Sequence, residues 1–332
     1  MPKESNVYFK KLIKEDSILE IYENISKNVK GNIGLKVHFG EKNNKYFIKP
    51  NLMKSLVRQL DATFIETNVL YVSDRRYTDS HLKLAKKHGF TYAPIDILDD
   101  AGEVHYKVDG NHFNKVKLGK NIEKYDTIIS LAHFKGHALS GFGGAIKNIG
   151  MGLAAIAGKM DQHASTIPIF KPSKCVECGT CVPECPGNAI SLSPLKIDSK
   201  KCIGCGKCIG ICPEKAFRVP WGSTKSNRFM ERLVEYAKGV MQYINVVFIN
   251  VLMNISKDCD CMSHAHEPFV EDIGILASED IVAIENASYD LVNKHLDSDD
   301  AFKEVNNVKA RKQIEYAHSL GMGNKEYNLI EV

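Results

Sequence analysis

From about residue 5 onward, the pattern of hydrophobic and polar positions changes repeatedly between short strand-like runs and longer runs with helical spacing. The runs NVYF, GLKVHFG and ETNVLYV are short and rich in β-branched or aromatic residues, so they are predicted strands. Residues 17–29 and 52–60 lie between them and have the spacing of amphipathic helices. Strands and helices that alternate in this way predict an α/β domain with a mostly parallel sheet.

The same alternation continues further along the chain. TDSHLKLAKKHGF predicts a helix that begins with Thr78 or Asp79 as its cap and ends at Gly89, and TYAPIDIL and YDTIISLAHF predict strands. A helix over residues 225–241 and a buried strand in INVVFINVL resume the pattern after residue 221. The α/β pattern is therefore interrupted once, between residues 168 and 221.

The interruption contains two similar cysteine runs, CVECGTCVPECP and CIGCGKCIGICP, which are offset by 27 residues. Each run reads CxxCxxCxxxCP, in which the fourth thiolate ligates the cluster held by the other run. A disulfide framework or two zinc sites are alternatives that this spacing disfavours. The pattern predicts two [4Fe-4S] clusters, one on Cys175, Cys178, Cys181 and Cys212, and one on Cys185, Cys202, Cys205 and Cys208.

The segment 168–221 resembles a bacterial two-cluster ferredoxin. Residues 1–167 and 222–332 are then predicted to form one discontinuous α/β domain with a mostly parallel sheet, and the small ferredoxin-like domain is inserted into it. An insertion at a loop beside the carboxyl ends of the strands would hold the clusters near the crevice where open α/β sheets bind ligands.

Composition is that of an ordinary globular protein, with 44% hydrophobic and 25% charged residues. The formal net charge of +4 comes from the insert, and two anionic clusters would cancel it, so we expect no nucleic-acid binding. The first residues lack an apolar leader, and INVVFINVLMNI is too short to span a membrane. Ten cysteines in such a chain predict a reducing, anaerobic cytoplasm.

A glycine-rich stretch follows the strand predicted to end at His133. A helix is expected to open near Gly144, with backbone N–H groups and lysines around the loop. Neither the Walker pattern nor the dinucleotide pattern occurs, so there is no NAD or flavin fingerprint. The stretch predicts an anion site, with a tight packing turn as the alternative; its residues are Lys135, Gly141, Gly143, Gly144 and Lys147.

Several histidines are candidates for acid-base chemistry. His133, His137 and His163 are close in sequence and would shuttle protons or bind a metal, although a lone histidine is more often structural. His38 and Glu41 are predicted at a strand end, where they form either an acid-base pair or a surface ion pair. The candidate catalytic residues are His38, Glu41, His133, Lys147 and His163.

The segment DCDCMSHAHEP follows the last buried strand. Cys259, Cys261, His264 and His266 are four soft or borderline ligands within eight residues, and they predict a third metal site of the zinc or iron-sulfur type. Two inert thiols and a reversible dithiol are the alternatives.

Three stretches carry a wider resemblance: GLKVHFGEKNNKYFIKP, SGFGGAIKNIGMGLAAIAGKMDQH and CDCMSHAHEPFVEDIGILASEDIVAIENASYDLV. Their order, with the cysteine runs between the second and the third, resembles the uncharacterised iron-sulfur centre proteins built on domain of unknown function 362. The resemblance implies an α/β domain with two [4Fe-4S] clusters and no established substrate. The matching family positions are His38, Gly40, Glu41, Gly143, Gly144, Lys147, Asn148, His163, Cys259 and Cys261.

These features predict an iron-sulfur electron-transfer protein, and specifically an oxidoreductase that has a redox partner and acts on a small anionic substrate. The alternative is a non-catalytic electron carrier or a partner in iron-sulfur or metal assembly. A purely structural role for the clusters is disfavoured, because a duplicated cluster unit provides an electron path. An enzyme requires a closed pocket, whereas a carrier requires an exposed cluster edge and a docking face. The sequence leaves the oligomeric state open.

Overall fold

The computed structural model describes residues 4–332, so residues 1–3 of the predicted large domain lie outside the described residues. The strands are β1 (Ser5–Lys10), β2 (Ile33–Lys36), β3 (Thr63–Glu66), β4 (Ile95–Ile97), β5 (Glu103–Lys107), β6 (Lys115–Gly119), β7 (Thr127–His133), β8 (Lys135–His137), β9 (Gly141–Gly143), β10 (Ile169–Phe170), β11 (Ile190–Ser191), β12 (Lys196–Ile197), β13 (Phe217–Arg218), β14 (Asn245–Leu252), β15 (Gly274–Ser278) and β16 (Tyr327–Glu331).

The α-helices are α1 (Ser17–Tyr22), α2 (Lys54–Leu60), α3 (Thr78–Lys87), α4 (Ala145–Gly150), α5 (Ile156–His163), α6 (Lys207–Ile211), α7 (Ser226–Met241), α8 (Ile281–Leu296), α9 (Ala301–Asn306) and α10 (Lys312–Ser319). Short 3-10 turns occupy Glu23–Asn28, Pro50–Met53, Lys120–Lys124 and Pro172–Lys174. Within residues 4–332, no helix is long and apolar enough to cross a membrane.

An eight-stranded sheet has the order β16-β1-β15-β14-β7-β2-β3-β4. Only β15 runs against its neighbours, so the prediction of an α/β fold with a mostly parallel sheet is confirmed. The chain moves outward from β2 to β3 and β4, and then returns to β7 on the other side of β2. This reversal opens a crevice at the carboxyl ends of β2 and β7, which is the usual ligand position in such sheets.

Apolar side chains cover both faces of the sheet. In β7, Ile128 belongs to one buried cluster and Ile129 to the cluster on the other face, because successive strand residues point in opposite directions. Phe248 and Ile249 divide in the same way in β14. Burial on both faces explains why these two strands are continuous apolar runs, and both were predicted correctly.

Several predicted elements are shorter in the structure. The helix predicted over residues 17–29 is an α-helix only to Tyr22 and a 3-10 turn to Asn28, and the strand predicted in GLKVHFG ends at Lys36. Strand β3 ends at Glu66 rather than continuing through ETNVLYV, because the N–H of Asn68 donates to the carboxylate of Asp99 at 2.8 Å instead of to a neighbouring strand. Helix α3 begins at Thr78 itself, and no side chain caps it. The predicted stop at Gly89 is correct, and its φ of +98° is a conformation that glycine adopts readily.

Residues 168–221 form a small unit with an apolar cluster of its own. Its first strand, β10, pairs with its last, β13, so the two ends of the segment lie side by side. The cluster includes Ile190, Ile209 and Phe217, and it also takes in Leu70 and Met160 from the large part of the chain. The small unit is therefore packed directly against the loop that follows β3.

Candidate functional site

A cavity of about 530 Å³ lies at the carboxyl ends of the central parallel strands. Lys36, Glu66 and His133 are the last residues of β2, β3 and β7, and all three line it. The cavity therefore occupies the crevice that the strand order creates.

Four of the five predicted catalytic residues line this cavity, as do three residues of the predicted anion site. The four are His38, His133, Lys147 and His163, and the three are Lys135, Gly144 and Lys147. They come together because β2 and β7 are neighbours in the sheet and because α4 and α5 cover the same end of it.

The lining is strongly cationic, with five Lys or Arg side chains and a single carboxylate, which is Glu66. Glu66 forms ion pairs with Lys36 at 3.0 Å and with Arg75 at 2.9 Å, and all three side chains are almost fully buried. Burial alone would raise the pKa of Glu66, but the charges of Lys36 and Arg75 hold that pKa well below its usual range. Glu66 thus compensates two of the five cations.

Asp260 lies just behind the lining and compensates a third cation. Its carboxylate contacts Nδ1 of His133 at 2.8 Å and Nζ of Lys135 at 3.3 Å. Burial opposes ionisation, yet His133 and Lys135 hold the pKa of Asp260 well below its usual range. The second ring nitrogen of His133 faces the carbonyl oxygen of Met253 at 2.7 Å, so both ring nitrogens are already engaged. His133 is therefore bound into a structural network.

Lys36, Arg75 and Lys135 each contact a carboxylate, whereas Lys147 and Lys159 form no ion pair within residues 4–332. Of these two, Lys147 has the fewer hydrogen-bond partners. Its Nζ lies 3.9 Å from Sγ of Cys259. Burial and the nearby charge of Lys135 lower the pKa of Lys147 to about 7. Burial likewise lowers the pKa of Lys159 to about 8, but its Nζ donates to the Ala154 carbonyl at 2.7 Å. Lys147 is thus the cation best able to bind and protonate a ligand.

Two buried nitrogens on cavity-lining residues have no hydrogen-bond partner in the described part of the chain. They are one terminal nitrogen of Arg75 (Nη1) and Nδ1 of His163. The Arg75 nitrogen lies 3.9 Å from a Glu41 oxygen, which is too far for a hydrogen bond. Since buried polar groups almost always have partners, these two nitrogens indicate the position of a ligand.

Three of the cavity histidines, His38, His137 and His163, are neutral at physiological pH. Burial lowers the pKa of His163 to about 3, and it holds the pKa values of His38 and His137 well below the usual range. His38 accepts a hydrogen bond from the N–H of Gly40 at 3.0 Å, and His137 accepts one from the N–H of Ser140 at 3.1 Å. Each of these two rings therefore uses Nδ1 as an acceptor and keeps its proton on Nε2.

The predicted pairing of His38 with Glu41 does not occur. Gly40 has a φ of +79°, and beyond this turn the Glu41 carboxylate lies behind the cavity lining, next to Tyr71 and Arg75. The Glu41 carboxylate is buried and accepts hydrogen bonds from Ser73 at 2.8 Å and Tyr71 at 3.1 Å. Glu41 is therefore neither an acid-base partner of His38 nor part of a surface ion pair.

The glycine-rich loop does not present the free backbone N–H groups that were predicted to bind an anion. Gly141 and Gly143 belong to β9, which pairs with β8, and helix α4 begins at Ala145 after Gly144. The N–H of Ile146 in the first turn donates to the Glu285 carboxylate at 2.7 Å, so this helix end is already occupied. Any anion in the cavity would instead meet the lysine and arginine side chains.

The eight cysteines of the small unit form two groups. Ala189 donates its N–H to Sγ of Cys185 at 3.3 Å, and Ala216 does the same to Cys212, which reflects the sequence repeat. All eight thiols are free, and this donor set suits two cubane clusters. One small pocket is lined by Cys175, Cys178, Cys181 and Cys212, and another by Cys185, Cys202, Cys205 and Cys208.

The described residues contain no pre-arranged metal site, and this includes the two cysteine groups. Among residues 4–332, no group of three or more His, Cys, Asp or Glu side chains surrounds a single ion position. Cys259 and Cys261 are joined by a disulfide, and the ring of His266 contacts Asp258 at 2.6 Å. The four-ligand site predicted from Cys259, Cys261, His264 and His266 is therefore not assembled.

The small unit reaches the cavity directly through Trp221 and contacts its wall at Leu70. Leu70 lines the cavity and also belongs to the apolar cluster of the small unit. A guanidinium nitrogen of Arg76 donates to the carbonyl of Gly206 at 3.0 Å, which fixes the loop between Cys205 and Cys208 against this wall. Leu70 and Arg76 thus connect the loop of the second cysteine group to the cavity wall.

Sequence reasoning missed five charged residues of this region. Lys36 and Glu66 carried a usable signal, since a charge at the end of an otherwise apolar strand is costly to bury without a partner. Asp260 lay inside the DCDC motif but was overlooked beside the two thiols. Arg75 and Lys159 lie in polar surroundings that carry no such signal.

Comparisons with known proteins give one family and several distant structures. A crystal structure of a Thermotoga maritima protein has 10% identity and a TM-score of 0.41, covering 92% of this chain and 59% of that chain. The structure of the lactate racemase apoprotein from Thermoanaerobacterium thermosaccharolyticum has 10% identity and a TM-score of 0.37, covering 75% of this chain and 51% of that one. This chain thus spans little more than half the length of either.

Similarity at that level carries no inference about activity, and no curated protein matches the chain. The family model described as Domain of unknown function (DUF362) matches residues 33–290, which is most of the sequence. The chain therefore belongs to the DUF362 family.

Proposed function

We propose that the protein is an iron-sulfur oxidoreductase that acts on a small anionic substrate in the cavity at the end of β2 and β7. Residues 168–221 would be a ferredoxin-like domain in which the two groups of four cysteines each hold one [4Fe-4S] cluster. When bound, such clusters would supply or accept electrons one at a time.

The observation that carries the proposal is the pair of buried, unpartnered nitrogens in a cation-lined cavity. Arg75 and His163 each present one such nitrogen, and Lys147 adds a charge that no carboxylate balances. Hydrogen bonds to charged groups are worth about 1.5–3 kcal/mol each, so a small anion that meets these groups would be firmly held.

The remaining side chains have distinct roles in this proposal. Arg75 and Lys147 bind the anion, and Lys147, whose pKa is about 7, also donates a proton to it. The neutral ring of His163 orients the substrate, and its own position is set by Trp221 and Phe229, whose ring centroids each lie 4.8 Å from it. His133 and Lys135 fix Asp260 and so hold the DCDC segment at the cavity wall.

The alternative, a carrier without its own substrate, rests on one observation. Cys178 of the first cysteine group is exposed, so a protein partner can approach that side of the small unit. In the proposed enzyme, the same face would receive electrons from the redox partner. The two functions differ in whether the cavity binds a substrate.

Anion binding to anaerobically purified protein tests the proposal. Phosphate and a series of mono- and dicarboxylates would be titrated calorimetrically into the wild type and Lys147→Met, with Lys294→Met as the exposed control on α8. We expect at least one anion class to bind the wild type and the control equally, and Lys147→Met to bind it about 10- to 100-fold more weakly. Dithionite-reduced protein, freed of excess dithionite, should then be reoxidised by an anion of the bound class that carries a reducible group and takes up the electrons.

Two results would favour the carrier instead. One is a cavity that binds none of these anions, and the other is reduced protein that only a redox protein reoxidises.

A further inference from the structure

The thiols of the DCDC segment lie at the wall of the same cavity. Cys259 and Cys261 are joined by a disulfide, Cys261 lines the cavity, and Cys259 is buried behind it with 3% exposure. Asp260 between them is anchored to His133 and Lys135, and its carbonyl accepts the N–H of Glu41 at 2.9 Å. Because this backbone is fixed, the two sulfurs stay close together whether or not the bond between them is formed.

The two sulfurs have different surroundings. Sγ of Cys259 accepts the N–H of Cys261 at 3.2 Å and lies 3.9 Å from Nζ of Lys147. A backbone donor and an ammonium group both stabilise a thiolate, so Cys259 is the better leaving group when the bridge opens. Cys261 faces the cavity, so it is the sulfur that a ligand reaches first.

We propose that Cys259 and Cys261 are a reversible thiol pair that exchanges with small anionic disulfides entering the cavity. This proposal rests on the cation-lined cavity of the proposed function, because those cations would select the anionic partner. It does not require a particular substrate for the iron-sulfur chemistry.

The exchange balances in two steps. In the reduced pair, the Cys261 thiolate attacks one sulfur of the bound disulfide RSSR, forms a mixed disulfide with RS, and releases the other half as RS⁻, which takes up a proton. The Cys259 thiolate then attacks Sγ of Cys261, closes the protein disulfide, and releases the second RS⁻, which is protonated in turn. The pair loses two electrons and two protons, and RSSR becomes two RSH.

The test uses anaerobically purified, pre-reduced holoprotein and two probes. The anionic probe is 5,5′-dithiobis(2-nitrobenzoate), and the neutral control is bis(2-hydroxyethyl) disulfide. Peptide mass spectrometry locates every adduct, so the eight other thiols do not enter the count. We expect the wild type to end with a Cys259–Cys261 bridge and no retained probe, and Cys259→Ser to retain one probe half on Cys261.

Variants of Lys147 test the asymmetry of the pair. We expect Lys147→Met to slow bridge closure after the first adduct about tenfold, and Lys147→Arg to restore most of the rate because it keeps the charge beside Cys259. For each probe, the rate of reaction with Cys261 is divided by its rate with a free thiol in solution. We expect this ratio to be at least about tenfold smaller for the neutral probe than for the anionic probe.

Three results would overturn the proposal: both cysteines remaining reduced after exposure to the anionic probe, equal labelling of Cys259 and Cys261 in the wild type, or a metal that is bound by the wild type and lost in Cys259→Ser. Iron content and anion binding are measured on the same variants. Loss of either property in the wild type would contradict the proposed function, independently of the thiol result. A protein that binds anions and iron but forms no bridge contradicts only the thiol proposal.

Discussion

Removing the charge of Glu66 should destabilise the protein strongly. In Glu66→Gln the carboxylate that faces Lys36 at 3.0 Å and Arg75 at 2.9 Å is replaced by a neutral amide of nearly the same shape. The side chains of Lys36 and Arg75 are 1% and 3% exposed, so their charges cannot be hydrated instead. Breaking a buried ion pair from one side costs about 3–5 kcal/mol, which is a large part of the stability of an ordinary domain.

The assay is urea unfolding of the large domain, followed by circular dichroism under anaerobic conditions. The matched control is Glu103→Gln, which breaks the exposed pair with His105 and should change the free energy of unfolding by about 0.5 kcal/mol or less. The added positive charge should also tighten anion binding, so saturating phosphate or dicarboxylate should stabilise Glu66→Gln more than the wild type. A loss below about 1 kcal/mol, with no rescue by anions, would refute the charge balance described for the cavity.

Three further predictions follow from other contacts. Cys212→Ser should remove the cluster of the first group and leave the second, so that iron falls from about eight to about four per chain; loss of the cluster on Cys202, Cys205 and Cys208 instead would reverse the assignment. Anion affinity should be highest well below pH 7 and fall as the pH rises through the pKa of Lys147, which is about 7, because the neutral amine no longer attracts an anion. Calorimetry from pH 5.5 to 8.5 would show this fall. Lys147→Arg should remove the part near pH 7 and leave the part near pH 8, where Lys159 loses its charge. Gly206→Ala should lower the thermal midpoint of unfolding more than Gly204→Ala. Both glycines have a positive φ, but an added Cβ meets a neighbour only at Gly206, where Leu70 is 3.0 Å away. Equal effects would mean that this contact does not hold the small unit in place.

The sequence was most informative where a pattern has a single physical cause. The continuous apolar runs of β7 and β14 predicted their burial, and the change between periods of two and 3.6 predicted the α/β sheet. The repeat of the cysteine runs predicts two groups of four ligands, and the same two sets line the two small pockets; cluster binding by them stays a prediction. Strand order was not predictable, because nothing local states that β7 returns to the side of β2 opposite β3.

The site was only partly predictable for the same reason. His38, His133, Lys147 and His163 were chosen one by one as polar residues beside strand ends or glycines, and the sheet order brings them to one cavity. Glu41 was misjudged because a positive φ at Gly40 reverses the chain beside it. The helix end at Gly144 was misjudged because Glu285, distant in sequence, already accepts its N–H group. Such long-range partners decide whether a polar residue is free to act.

The central claim is that two groups of four thiolates, each taking one ligand from the other repeat, hold two cubane clusters beside a cation-lined cavity. Iron and acid-labile sulfide analysis of anaerobically purified protein, combined with EPR of its dithionite-reduced form, tests this most directly. The account predicts about eight irons and eight sulfides per chain and the spectrum of two interacting reduced clusters. Two zinc ions per chain, or four cystine bridges without iron, would contradict it.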